Sequence, residues 1–478
     1  MKMSVCLLLL VLCLGNLLLV SAQSEPYVSE TDPLVLKKLE HWQDIKFGLL
    51  MHWGAYSQWG IVESWSICSE DVPWCRRPAG ISYVDYVKKY EDLPKTFNPV
   101  GFDPDKWAVA AKDAGMKYVV FTTKHHDGFN MFDTKYSDYK ITAADVPFHT
   151  NPKADITKEI FRSFRREGFW IGAYFSKPDW NSKDYWAPEW ATPDRNNNYD
   201  TAKYPDRWQR FKDFTYNQLN EITTGYGPVD ILWLDGGWVK YRRPPFDATV
   251  GSGRVPWQQD IDMPRIAAMA RKNQPGIIIV DRDVHGPFEN YRTPEQTVPD
   301  KPLPYPWETC MTMATSWSYV PNDVYKPTRQ LIDTLVDVVA KGGNFLLNVG
   351  PSPNGEFAPE AYDRMREIGA WMKVNAEAIY NTRPVAPYKE GKICYTSLKD
   401  GTVYAIYLAD AGENEPPAKI WLSGLAPAKD TSFHLLGTDI PLVWERKGNG
   451  VLISIPEEVR KKSVDKYAWT VKISRIVK

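Results

Sequence analysis

The chain has 478 residues, a formal net charge of −1 and 24% charged residues, with no long run of one sign. That balance argues against a basic nucleic-acid-binding surface and against an extended, self-repelling chain. With 43% apolar residues and no repeat of fixed period, it reads as a globular protein with a sizeable core.

Residues 1–22 carry the three parts of a cleavable export signal: Lys2, the apolar stretch Val5–Val20 broken by Gly15 and Asn16, and the small-residue site Val20-Ser21-Ala22. The apolar part is too short and too interrupted for a bilayer span, which needs about 20 residues. Cleavage before Gln23 is expected, and no later run spans a membrane. The mature protein is expected in the periplasm or outside the cell, with the lysosome as the further destination. Cys68, Cys75, Cys310 and Cys394 remain, too few for a disulfide framework and not spaced for structural zinc. A Cys68–Cys75 bridge across their short loop stays open.

From Phe47 onward, short apolar runs alternate with helical patterns. Strands are expected at Phe47–His52, Tyr118–Lys124, Phe169–Phe175, Val229–Asp235, Ile277–Arg282 and Phe345–Val349. Helices are expected between them at Asp105–Ala114, Ala154–Glu167, Tyr204–Thr223, Asp260–Lys272 and Thr328–Val339, then at Pro359–Tyr380. This rhythm predicts an α/β fold, a (β/α)8-like TIM barrel over 23–383, and no G-x-G-x-x-G follows the first strand to suggest a dinucleotide fold. Beyond Pro384–Pro387 the pattern becomes short alternating segments, which predict an antiparallel β-sandwich over 384–478.

In a barrel, chemistry belongs to the C-terminal ends of the strands. Asp230 opens the Val229–Asp235 run and Asp235 closes it, so Asp235 is assigned to the mouth and Asp230 to the bottom. Gly236 and Gly237 after it allow close backbone approach, and Trp238 offers a ring. Three of only seven histidines also close strands: His52, and the pair His125-His126. Neighbours on an extended segment point to opposite faces, so the pair is expected not to chelate one ion. Neutral imidazoles bonding hydroxyl groups suit them better, and no metal or cofactor is expected. The 20 Trp and 26 Tyr suit sugar rings. Retaining glycoside hydrolysis needs a second carboxyl about 5 to 5.5 Å from the nucleophile. The loop after Arg282 offers Glu289, Glu295 and Glu308, and spacing alone does not choose among them.

The stretches Lys46–Gly48 through His52–Gly54, Lys124–Phe129, Gly172–Ser176, Trp233–Gly236 and Asn344–Pro351 resemble, in order, the strand-end motifs of the α-L-fucosidases of glycoside hydrolase family 29. That resemblance implies exo-acting release of terminal α-L-fucose with retention, from a fucosylated oligosaccharide or glycoconjugate. It carries Asp235 over as nucleophile and His52, His125, His126 and Tyr174 as residues that hold fucose. Arg282 matches an arginine near the nucleophile, Trp65 and Trp317 match pocket aromatics, and Glu63 matches a pocket glutamate. Here Ser64 separates Glu63 from Trp65, a departure from the family's commoner Glu-Trp order. Thr293-Pro294-Glu295 most resembles the acid position, so Glu295 is favoured as acid/base over Glu289, with Glu308 structural. The alternatives are a retaining exo-glycosidase for α-galactose and a catalytically silent sugar-binding barrel.

Overall fold

The computed structural model describes residues 26–68, 75, 77–243, 248–250, 253–428 and 430–474. The expected export signal lies outside them. Among the described residues no helix is long and apolar enough to cross a membrane.

Seven parallel strands build the large sheet: β1 Phe47–Met51, β2 Tyr118–Lys124, β3 Trp170–Ser176, β4 Ile231–Asp235, β5 Ile278–Asp281, β6 Glu308–Thr312 and β7 Asn344–Val349. Their order is β5-β4-β3-β2-β1-β7-β6, all neighbours parallel. Helices at Pro104–Asp113, Ile156–Arg166, Pro205–Gly225, Met263–Asn273 and Thr328–Ala340 follow strands or precede the next one, as the alternation predicts. The first of these starts where it does because Asp103 accepts the Asp105 and Lys106 amides and Pro104 needs no amide partner.

The expected eighth strand is absent as a regular element among the described residues. The edges β5 and β6 are joined instead by an irregular segment. Asn290 donates its amide to Ile279 beside β5, while Glu308 and Gln296 exchange amide bonds with Arg292 and Cys310 beside β6. Short bridges pair Arg292 with Trp307 and Glu295 with Cys310. Pro294, which lacks an amide proton, and the left-handed Gln296 at φ 54° prevent a regular ladder. The curled sheet is thus closed by a stretch with bulged, non-alternating backbone.

Inside the curl, residues two apart on each strand share one face. Leu50, Tyr118, Val120, Tyr174, Ile231, Trp233, Ile278, Val280, Cys310 and Leu346 pack as one buried cluster. Gly48 makes room for it, since a Cβ there would lie 2.5 Å from the Tyr118 ring. Glu308 is buried in this cluster, accepting from Tyr118 Oη at 2.6 Å and Trp233 Nε1 at 3.3 Å. That is the structural placement expected of it.

The C-terminal part holds a five-stranded antiparallel sheet and a three-stranded one. Residues of both, among them Val403, Val471, Ile420 and Ile453, share one apolar core, which makes a sandwich. Trp371 Nε1 of the last barrel helix, Pro359–Asn375, donates to the Ala468 carbonyl, and Cys394, Tyr404 and Ile406 enter the barrel's own outer core. Cys68 and Cys75 are both buried thiols, so the bridge left open above is not made.

Candidate active site

Asp235 ends β4 and lies on the inward parity of Ile231 and Trp233, four and two residues before it. The turn that follows demands glycine: Gly236 sits at φ +89°, and a Cβ there would lie 2.3 Å from Pro178. Gly236 donates its amide to Asp235 Oδ1 at 2.8 Å, Tyr174 Oη donates to Oδ2 at 2.6 Å, and Arg282 Nη1 stands 3.0 Å from Oδ1. Burial by itself would raise the carboxyl's pKa, but the Arg282 guanidinium, the tyrosine hydroxyl and the glycine amide outweigh it. Asp235 is therefore held ionised, well below the usual carboxylate range. Asp230, at the other end, takes Lys38 Nζ at 2.9 Å and the Ile171 amide at 3.0 Å, a bottom-of-barrel clasp.

A cavity of about 230 Å³ opens over Asp235. Its lining brings together all the residues singled out for catalysis or binding: His52, Glu63, Trp65, His125, His126, Tyr174, Asp235, Arg282, Glu295 and Trp317. Trp238, expected beside Asp235, lines it too, and so do three residues that had not been assigned there: Leu50, Trp233 and Cys310. Leu50, Trp233 and Cys310 occupy inward parities on their strands, the signal that would have found them.

His125 and His126 correct an expectation. They do not diverge; their ring centroids are 4.3 Å apart and both line the cavity. Strand β2 ends at Lys124, and strict alternation ends with it. Ligand atoms of His125, His126 and Asp235 lie within 4.8 Å of one another. Arg282 already places a positive charge on Asp235, which opposes a dication there. Burial drives the His52 and His126 pKa values down to about 4 and that of His125 lower still, so all three are neutral imidazoles at physiological pH.

The three loop glutamates separate cleanly. Glu289 is buried away from the cavity, taking the Asp283 amide at 2.9 Å and His285 Nδ1 at 2.9 Å. Glu308 lies beneath, in the barrel interior. Glu295 alone of the three reaches the mouth, where Arg282 Nη2 donates to its Oε2. One guanidinium thus bridges Asp235 and Glu295, and it lies over the Trp233 ring at 5.4 Å.

Glu63 is the odd member. It is buried, and its Oε2 has no hydrogen-bond partner among the described residues. Burial first, then the charges of Glu295 and Asp235, push its pKa up from 4.5 to about 7. The folded state therefore holds this proton more tightly than the unfolded chain, so stability falls as pH rises from 4.5 through 7. Glu63→Gln removes the penalty. Measured by denaturant unfolding, the variant's stability relative to the parent is expected to improve by about 3 kcal/mol between pH 4.5 and pH 8. A pH-independent difference between the two proteins would show that Glu63 ionises normally in the fold.

A parallel α/β barrel with an ionised strand-end aspartate, a loop carboxylate on the same guanidinium, and a wall of neutral imidazoles and indoles defines a glycoside hydrolase. Residues 17–377 match the family model for α-L-fucosidase and residues 388–474 that for the α-L-fucosidase C-terminal domain, and the chain belongs to the α-L-fucosidase family. It is 28% identical to plasma α-L-fucosidase of Homo sapiens over 93% of this chain and 92% of that one. It is 29% identical to tissue α-L-fucosidase of Mus musculus over 92% and 93%. Among solved structures, α-L-fucosidase isoenzyme 1 from Paenibacillus thiaminolyticus superposes with a TM-score of 0.73 at 29% identity, covering 93% of this chain and 100% of its own. A family 29 α-L-fucosidase from Bacteroides thetaiotaomicron, trapped as a covalent intermediate with 2-fluoro-fucosyl fluoride, gives 0.70 at 25% identity, covering 94% and 98%.

Proposed function

We propose that the protein is an exo-acting, retaining α-L-fucosidase that releases terminal α-L-fucose from exported or extracellular glycans. Asp235 attacks the anomeric carbon while Glu295 protonates the departing oxygen, and Glu295 then activates the water that hydrolyses the fucosyl-enzyme. The observation that carries this reading is the shared guanidinium of Arg282. It ties together two carboxylates that both line a cavity of about 230 Å³, below the ~300 to 1,000 Å³ of drug-sized pockets and suited to one sugar ring. Tyr174 and the histidines supply hydroxyl partners, and Trp65 and Trp317 bound the ring. Residues 23–383 form the catalytic unit and 384–478 the C-terminal domain in this reading. The leader at 1–22 supports export, as do the plasma and tissue relatives.

Leu50, Trp233 and Cys310 give the cavity an apolar side suited to the C6 methyl of fucose. A galactoside would set a hydroxyl against those groups. A methyl contact is worth only about 1 to 3 kcal/mol, and an unmatched buried hydroxyl costs a further ~1 to 3. Paired p-nitrophenyl substrates are therefore expected to show kcat/KM for α-L-fucoside roughly 10² to 10⁴ times that for α-L-galactoside, which differs only by the C6 hydroxyl, with α-L-fucose as the first anomer released. Equal rates, or first release of the β-anomer, would overturn the substrate or the stereochemical part of the reading.

A further inference from the structure

Two of the cavity histidines are gripped from behind by groups whose own hydrogen bonds bear on their role. Asn348, on β7 and fully buried, donates Nδ2 to the Trp317 carbonyl at 2.6 Å, which fixes the orientation of its amide. Its Oδ1 therefore faces His52 Nδ1, 2.8 Å away, and an amide oxygen can only accept. The proton of neutral His52 must sit on Nδ1. Ser64, also fully buried, accepts the Asp127 amide at 3.0 Å and lies 2.5 Å from His125 Nδ1. Were His125 to donate there, the serine hydroxyl would have to turn to the Asp127 carboxylate, whose oxygens already accept from Tyr90 Oη and the Phe129 amide. The hydroxyl instead donates to a bare Nδ1, and the proton of neutral His125 sits on Nε2.

We infer that Asn348 and Ser64 are positioning residues that lock His52 and His125 in opposite neutral tautomers, so that the cavity meets a bare Nε2 acceptor on one ring and an Nε2–H donor on the other. The ring centroids are 5.5 Å apart, so the two opposite roles fall within the span of one sugar ring. Ser64 is the residue that separates Glu63 from Trp65 in this chain, so the separation has a use: it sets a hydroxyl beneath His125. The consequence for specificity rests on the fucosidase reading. One substrate hydroxyl must donate to His52 and one substrate oxygen must receive from His125, a polarity that a sugar with an ether or fluorine at the first position cannot meet.

The tautomers themselves do not depend on that reading, and the test is made on the substrate-free full chain. In protein labelled with 15N-histidine, long-range proton–nitrogen correlation distinguishes a bare ring nitrogen, shifted far downfield, from a protonated one. Peaks are assigned with His52→Gln and His125→Gln. The expected pattern is Nδ1–H for His52 and Nε2–H for His125. Asn348→Leu should move only His52 toward a tautomer mixture, and Ser64→Ala only His125's nitrogens, with circular dichroism unchanged. If either variant fails to fold, the parent spectrum alone decides. The reverse assignment of either ring, or a variant in which its ring is unmoved, overturns the inference. The expected tautomers together with no fucoside hydrolysis would instead overturn the proposed activity and leave the locking intact.

Discussion

Asp235→Gly is expected to lower kcat on an aryl α-L-fucoside by roughly 10³- to 10⁵-fold, about 4 to 7 kcal/mol of lost transition-state stabilisation. The size follows from what Asp235 is prepared for. Arg282, Tyr174 and Gly236 all direct positive charge or a proton donor at its oxygens, so the carboxylate meets a developing oxocarbenium centre fully ionised and already oriented. The glycine variant keeps Arg282, with Trp233 beneath it, and opens a space beside the guanidinium that admits a small anion. Added azide is expected to restore part of the rate and to yield a fucosyl azide of inverted configuration, because one displacement replaces two. Asp235→Asn preserves the shape and offers no space for azide. It should lose activity similarly and show no rescue. Near-normal turnover in either variant, or a folded glycine variant that forms no fucosyl azide, would remove Asp235 from the role of nucleophile.

The contrast between Asp235 and Glu295 also explains what could be read from the chain. Asp235 lies on a regular strand, where a period of two and the position at the strand's end specify which way a side chain faces. The same logic located His52 after β1, and would have located Tyr174, which the resemblance supplied, and Leu50, Trp233 and Cys310. It failed for His125-His126, since the ladder stops at Lys124 and the next residues are free of its parity. It failed for the eighth strand because the chain from Phe288 to Gln296 touches both sheet edges through isolated bonds without a sustained register. The acid's identity depends on that one stretch. Glu289 and Glu295 within it, and Glu308 on β6, differ in burial and partner, properties set by long-range folding and invisible in spacing.

Glu295→Ala is expected to separate the three carboxyl candidates by how each depends on the leaving group. An acid matters in proportion to how badly the departing oxygen needs a proton. With a fucosylated oligosaccharide the loss in kcat/KM should be roughly 10² to 10⁴-fold, while a dinitrophenyl fucoside, whose phenolate leaves unaided, should lose within about tenfold. The position suits the role: Glu295 is 42% exposed at the rim, where the rest of the glycan must depart. In the substrate-free protein Arg282 Nη2 donates to its Oε2. Glu63 presents the opposite case. It is protonated near neutral pH by burial, yet it lies inside the cavity with no hydrogen-bond partner among the described residues for Oε2. If it serves to hold the sugar, Glu63→Ala should depress both substrates alike. Glu289→Ala should chiefly destabilise, since its partners are His285 and the Asp283 amide and no part of the cavity. Leaving-group dependence appearing in Glu63→Ala and not in Glu295→Ala would transfer the acid from the exposed rim to the buried wall.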